Sequence, residues 1–130
     1  MKIFVDDLLY KEECFKIIGI CIKIHSILGK GFYEVVYKDA LEIELQKNQI
    51  PYDREKQFKI KYEGIELKRK FKADFLAYSA ILLEIKAQHN IPCGAFKQTL
   101  NYLKSAEIQL GITINFGEDR LQFQRIVCTY

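Results

Sequence analysis

Apolar residues recur at Cys14, Ile17, Ile18, Cys21, Ile24 and Leu28 within residues 7 to 28, the stripe of an amphipathic helix. Gly29-Lys30-Gly31 stops it, because glycine readily adopts the left-handed conformation that follows a helix end. A second helix is predicted from about Tyr33 to Lys47, with Val36, Ala40, Ile43 and either Ile50 or Leu45 facing inward. Pro51 marks its exit. The period then changes from that of a helix to two. Phe58, Ile60 and Tyr62 alternate with Gln57, Lys59 and Lys61, and Glu63-Gly64 reads as a turn into a short strand at Ile65 to Leu67. Residues 71 to 87 read as a further hairpin with its turn near Ser79. Pro92 and Gly94 introduce a helix of roughly 95 to 106, and two alternating strands close the chain, the last with an ambiguous inner face. The predicted order is α-α-β-β-β-β-α-β-β, an α/β chain with a mixed sheet flanked by helices.

Bulk properties narrow this only a little. A chain of 130 residues, 49% hydrophobic, fits one domain spanning 1–130 with a real core. The net charge of +3 permits a polyanionic partner without requiring one. Cys14, Cys21, Cys93 and Cys128 form no CxxC pair, and Cys14 and Cys21 sit on the apolar stripe as small core residues. The start is acidic where a signal peptide would be apolar, and no apolar run is long enough to span a bilayer. A soluble, reduced, cytoplasmic protein is the expectation.

Three charges in the 71–87 hairpin stand out: Asp74, Glu84 and Lys86. With the turn centred on Ser79, Asp74 lies opposite Glu84 and Lys72 opposite Lys86, and opposed residues share a face of the sheet. Two carboxylates so placed repel unless something positive lies between them, and a hard divalent cation such as Mg²⁺ would serve. A lysine two residues on can position water or stabilise charge in phosphodiester hydrolysis. The plainer alternative is a wet strand pair in which Lys72 and Lys86 neutralise the two acids.

Around this hairpin stand HSILGKGFYEVVYKDAL, in which Gly31, Glu34 and Tyr37 spell GxxExxY, then KAQ, KQTLNYLK and LGITINFG. Together, in this order from His25 to Val127, they resemble the GxxExxY family of the PD-(D/E)XK nuclease superfamily. The resemblance implies a restriction-endonuclease-like αβββαβ core. It implies Asp74 and Glu84 as metal ligands, Lys86 as the catalytic lysine, and Glu34 as a further carboxylate at the metal. Gln98 and Tyr102 match a QxxxY element that contacts nucleic acid or orders the site, and His25 matches a histidine found before the family's glycine. Ala95 stands where members often carry a histidine, and Ala73 replaces the proline of the superfamily's name.

Each of these residues also has a structural reading. Glu34 suits a helix start, where a carboxylate favours the dipole, Tyr37 suits packing, and His25 continues the apolar stripe. The expected function is Mg²⁺- or Mn²⁺-dependent hydrolysis of nucleic acid, DNA first. The alternative is a non-catalytic module that keeps the fold to bind nucleic acid or protein. Lys68, Arg69, Lys70 and Lys72 could touch phosphates or simply form a solvated strand edge. Pairing into a homodimer stays open, since no seam for one is readable.

Overall fold

The computed structural model describes residues 9–91 and 94–129. Helix α1 spans Lys11–Leu28 and α2 Glu34–Lys47, followed by β1 (Tyr52–Tyr62), β2 (Ile65–Ala77), β3 (Ile81–Lys86), α3 (Gly94–Ala106), β4 (Leu110–Asn115) and β5 (Gln122–Val127). The expected start of the first helix at residue 7, and Pro92 before the third, lie outside the described residues.

Two expectations need correcting. The strands expected at 65–67 and from residue 71 are one strand, β2. Nothing in Lys68-Arg69-Lys70 breaks the chain, so the backbone stays extended through a wet stretch. The inner face of α2 is also turned from that expected. Tyr37, Leu41 and Leu45, spaced four apart, are fully buried, whereas Ile43 is exposed and Val36 and Ala40 are half-buried. Burial of that stripe sets the rotation, and ion pairs accompany it: Lys23 of α1 holds Glu44 at 2.7 Å, and Arg54 of β1 holds Asp39 and Glu42 at 2.8 and 2.9 Å.

The five strands lie in sequence order. β1 and β2 form an antiparallel hairpin around the Glu63-Gly64 turn, β2 and β3 are antiparallel, and β4 and β5 are antiparallel. β3 and β4 run parallel, so their connection must cross over, and α3 is that crossover. Helices α1 and α2 cover one face and α3 the other. β4 is therefore buried along its whole length. Ile85, Ile112 and Ile114 face α1 and α2 at 0% exposure, each contributing about 1.5–3 kcal/mol by burial.

A second cluster lies under α3, with Phe71, Ala73, Leu82 and Leu103 at its centre. Phe75 and Ala77 of β2 join the first cluster, while Phe71 and Ala73 of the same strand join the second. The change between cores falls at Asp74.

Candidate active site

Asp74 sits where strand pairing lapses on both sides. The β2–β3 ladder follows the register expected from a turn at Ser79, but it ends at Phe75↔Leu83, so neither expected cross-strand pair, Asp74 with Glu84 or Lys72 with Lys86, is part of it. Beyond it the Asp74 carboxylate takes the place of a backbone acceptor: Oδ2 accepts the Ile85 N–H at 2.7 Å. On the β1 side, Arg54 pairs with Phe75 and Lys56 with Ala73, leaving Glu55 unpaired opposite Asp74. Glu55 carries φ +58°, a left-handed conformation costing on the order of 1 kcal/mol in a non-glycine residue. The site is thus a fork: β2 peels away from β3, with Asp74 in the opening.

Glu84 lies on β3 beside this fork, 8% exposed. Its Oε1 is buried and has no hydrogen-bond partner among the described residues. Burial, then the charge of the Asp74 carboxylate and a side-chain hydrogen bond with it, pushes the Glu84 pKa up to about 8; Glu34 adds to this and Lys86 opposes it. Thr113 is its neighbour in the parallel β3–β4 ladder, and the Thr113 hydroxyl oxygen is also buried without a partner among the described residues. Leaving such groups unsatisfied costs about 1–3 kcal/mol each.

Glu34 reaches the fork from the first turn of α2. It is open to water on one side, yet partial burial and then the Asp74 charge raise its pKa, with Lys86 and Lys38 working the other way. The loop before it is shaped by Tyr37. The buried Tyr37 phenol donates to the Gly29 carbonyl at 2.6 Å, accepts the Phe32 N–H at 3.3 Å, and stacks on Phe116 at 4.6 Å. Gly29, at φ +69°, ends α1 in a conformation that side chains rarely adopt. Within the GxxExxY block the tyrosine therefore holds the loop from which the glutamate is presented.

Sequence reasoning missed two residues. Lys38, 8% exposed, bonds Asp74 Oδ1 at 3.1 Å and also Glu55 Oε1. Burial opposes the Lys38 charge, but the two carboxylates outweigh it and raise the ammonium pKa. The available signal was spacing: Lys38 lies one helical turn beyond Glu34, on the same face of α2. Nothing in the sequence alone distinguished Glu55 from its neighbours, because its role follows from a break in pairing.

Other expected residues divide. Tyr102 lies parallel to Phe71 at 4.1 Å, and burial, then the charge of Glu84, raise its phenol pKa, so it borders the site. Gln98 is exposed on α3. His25 turns to the loop after β4, where Nε2 lies 2.9 Å from the Glu118 carbonyl and the ring lies against Phe116. That loop passes so near Gln88 that a Cβ at Gly117 would lie 2.3 Å from the Gln88 nitrogen, which explains the glycine closing LGITINFG.

The structure thus draws Glu34, Asp74, Glu84 and Lys86 into one electrostatic neighbourhood. Two carboxylates, one with a buried unpartnered oxygen, are hard donors of the kind Mg²⁺ takes, one or two per ion. Among the described residues no group of three or more His, Cys, Asp or Glu side chains is gathered closely enough to hold a metal unaided.

The family model of the PD-(D/E)XK nuclease superfamily matches residues 11–126. No curated protein matches the chain. Among solved structures, that titled "Crystal structure of SSO0001" superposes with a TM-score of 0.55 at 24% identity, over 71% of this chain and 48% of that one. This chain therefore spans about half of that chain's length, and the likeness is one of fold: a mixed five-stranded sheet with three helices, of the restriction-endonuclease-like kind.

Proposed function

Because the chain belongs to the PD-(D/E)XK nuclease superfamily, we propose that it hydrolyses nucleic-acid phosphodiesters, DNA first, with a divalent cation held at Asp74 and Glu84. The observation carrying this reading is the buried, unpartnered Oε1 of Glu84 beside the Asp74 carboxylate in the β2–β3 fork. Ionising a buried acid beside another carboxylate is costly, and a bound cation relieves that cost. Bound there, Mg²⁺ or Mn²⁺ supplies Lewis-acid stabilisation of charge on the phosphodiester oxygens. Lys86, two residues along the same face of β3, presents its ammonium to the attacking water and to the charge developing at phosphorus. Glu34 closes the site from α2, and Tyr102 offers a phenolic donor beside Glu84. We further assign the chain to the GxxExxY group, an assignment supported by the way Tyr37 holds the loop before Glu34.

The test is incubation of the purified chain with linear, nicked and branched DNA and with RNA, in Mg²⁺, Mn²⁺ or EDTA. Metal-dependent cleavage that is lost in Asp74→Ala is expected. Absence of cleavage of every substrate would sink the reading. One observation favours the second reading, a binding module without catalysis: the Lys38 ammonium already lies on Asp74 Oδ1. Unchanged DNA affinity in EDTA, with no Mn²⁺ uptake by calorimetry, is the outcome that reading requires.

A further inference from the structure

The outer part of the β1–β2 hairpin reaches past the sheet. β3 pairs with β2 only at residues 75–77, so among the described residues β1 is the sole strand partner of residues 65 to 73. This ribbon is sharply two-faced. Phe58, Ile60 and Phe71 go under α3. By alternation, Lys59 and Lys61 on β1 and Lys68, Lys70 and Lys72 on β2 take the other side, and all five are exposed.

Charge is concentrated here beyond anything the total suggests. With Lys56 and Arg69, residues 55–72 carry seven basic groups against Glu55, Glu63 and Glu66, a net of +4 in a chain of net +3. The remaining residues sum to −1. Of the five lysines on the open face, only Lys59 is ion-paired among the described residues, to Glu66 at 3.3 Å. Lys59 and Lys70 are direct cross-strand partners, an arrangement in which like charges repel. Stability alone does not favour such a pair. A polyanion lying across the face does, by neutralising both. At the outer edge of β1, Lys59 and Lys61 also line, with Lys104 at the end of α3, an open cleft of about 630 Å³.

We propose that the lysine face of this ribbon binds the sugar-phosphate backbone of duplex DNA and leads it to the fork at Asp74. The inference rests on the nucleic-acid reading of the site and adds the surface that holds the substrate. Two features select duplex DNA. A two-stranded ribbon fits the major groove, about 12 Å wide, where both lysine columns meet flanking phosphates. At about 3.3 Å rise per residue, Lys68, Lys70 and Lys72 place an ammonium roughly every 6.6 Å along a strand that runs straight into Asp74. Contacts of this kind carry no sequence information, so the grip is sequence-independent.

The experiment measures binding of the full chain to a labelled 20-base-pair duplex and to its single strand, in EDTA, across a KCl series. Lys68→Ala/Lys70→Ala is compared with Lys11→Ala/Lys16→Ala, which removes the same charge from the exposed side of α1. Thermal melting checks that both fold. The ribbon variant is expected to lose about one unit of salt slope per lysine and on the order of tenfold in duplex affinity, with the α1 variant at wild-type values. Equal losses in both variants, or none in the ribbon variant, overturn the proposal. So does an equal ribbon dependence for the single strand. Metal-dependent cleavage without ribbon-dependent binding removes this inference and leaves the nuclease reading, whereas ribbon-dependent binding without cleavage does the reverse.

Discussion

β4 and the outer β1–β2 ribbon are both extended chain with alternating side chains, yet they live in opposite surroundings. β4 is buried on both faces, between α1 and α2 on one side and α3 on the other. The ribbon has one face under α3 and one in water, with Tyr62, Ile65 and Leu67 exposed towards its tip. Asp74 lies at the boundary, where β2 leaves β3 and passes from one core to the other. A carboxylate is tolerable there because the lapse in pairing offers it a backbone N–H, from Ile85, and an ammonium, from Lys38. The rigid side of the boundary supplies Glu84 and Lys86, and the open side supplies the charge.

The largest effect expected across this boundary is chemical. Lys86→Ala should lower a metal-dependent cleavage rate by about 10²–10⁴-fold while leaving duplex affinity in EDTA unchanged. Parallel loss of rate and affinity would instead make Lys86 part of the binding surface. Next comes the contrast in packing. Ile112→Ala in β4 should cost about 2–5 kcal/mol in urea unfolding, and Leu67→Ala on the ribbon no more than about 0.5 kcal/mol. Similar costs at both positions would erase the distinction between buried centre and open arm.

Lys38→Met tests the boundary itself. It leaves Asp74 without its ammonium and should destabilise the metal-free protein by about 1–3 kcal/mol, less than a fully buried pair because Glu55 is 44% exposed. Added Mn²⁺ should restore more melting temperature to this variant than to wild type. An equal Mn²⁺ response in the two would show that lysine and cation do not compete for Asp74.

The gentlest probe is pH. Below about 4.5 the Glu84 carboxyl is protonated in the folded and unfolded chains alike; between there and about 8 the unfolded chain has lost the proton that the folded one keeps. Stability from this group is therefore lost as pH rises through that window. The lowered pKa values of Glu42, Glu44 and Glu55 act below it, where protonation removes their ion pairs. The metal-free melting temperature should fall from pH 5 to 8, and Glu84→Gln should flatten the decline. Mn²⁺ affinity should rise over the same interval, since the metal takes the ionised carboxylate.

Much of this was legible in the chain. Helix α1, the turn at Glu63-Gly64, the hairpin register about Ser79 and the buried cysteines Cys14 and Cys21 follow from periodicity and turn chemistry, which act between near neighbours. That Asp74 comes near Glu84 and Lys86 was legible for the same reason, although the ladder expected to pair them ends one step earlier. Less was readable where distant segments compete. Tertiary packing decided the rotation of α2, by burying Tyr37, Leu41 and Leu45 against the sheet and α1, and merged two expected strands into one.

What the sequence by itself determined is the set of local elements and the acids and lysine in one hairpin, because hydrophobic period and turn geometry are short-range. Only the tertiary structure decided that the β2–β3 ladder stops before Asp74, that Lys38 and Glu55 meet there, and that Glu84 is left with an unpartnered oxygen. Each depends on how strongly β2 is drawn towards two different cores at once. That is a balance of packing between segments far apart in the chain, and no window of residues contains it.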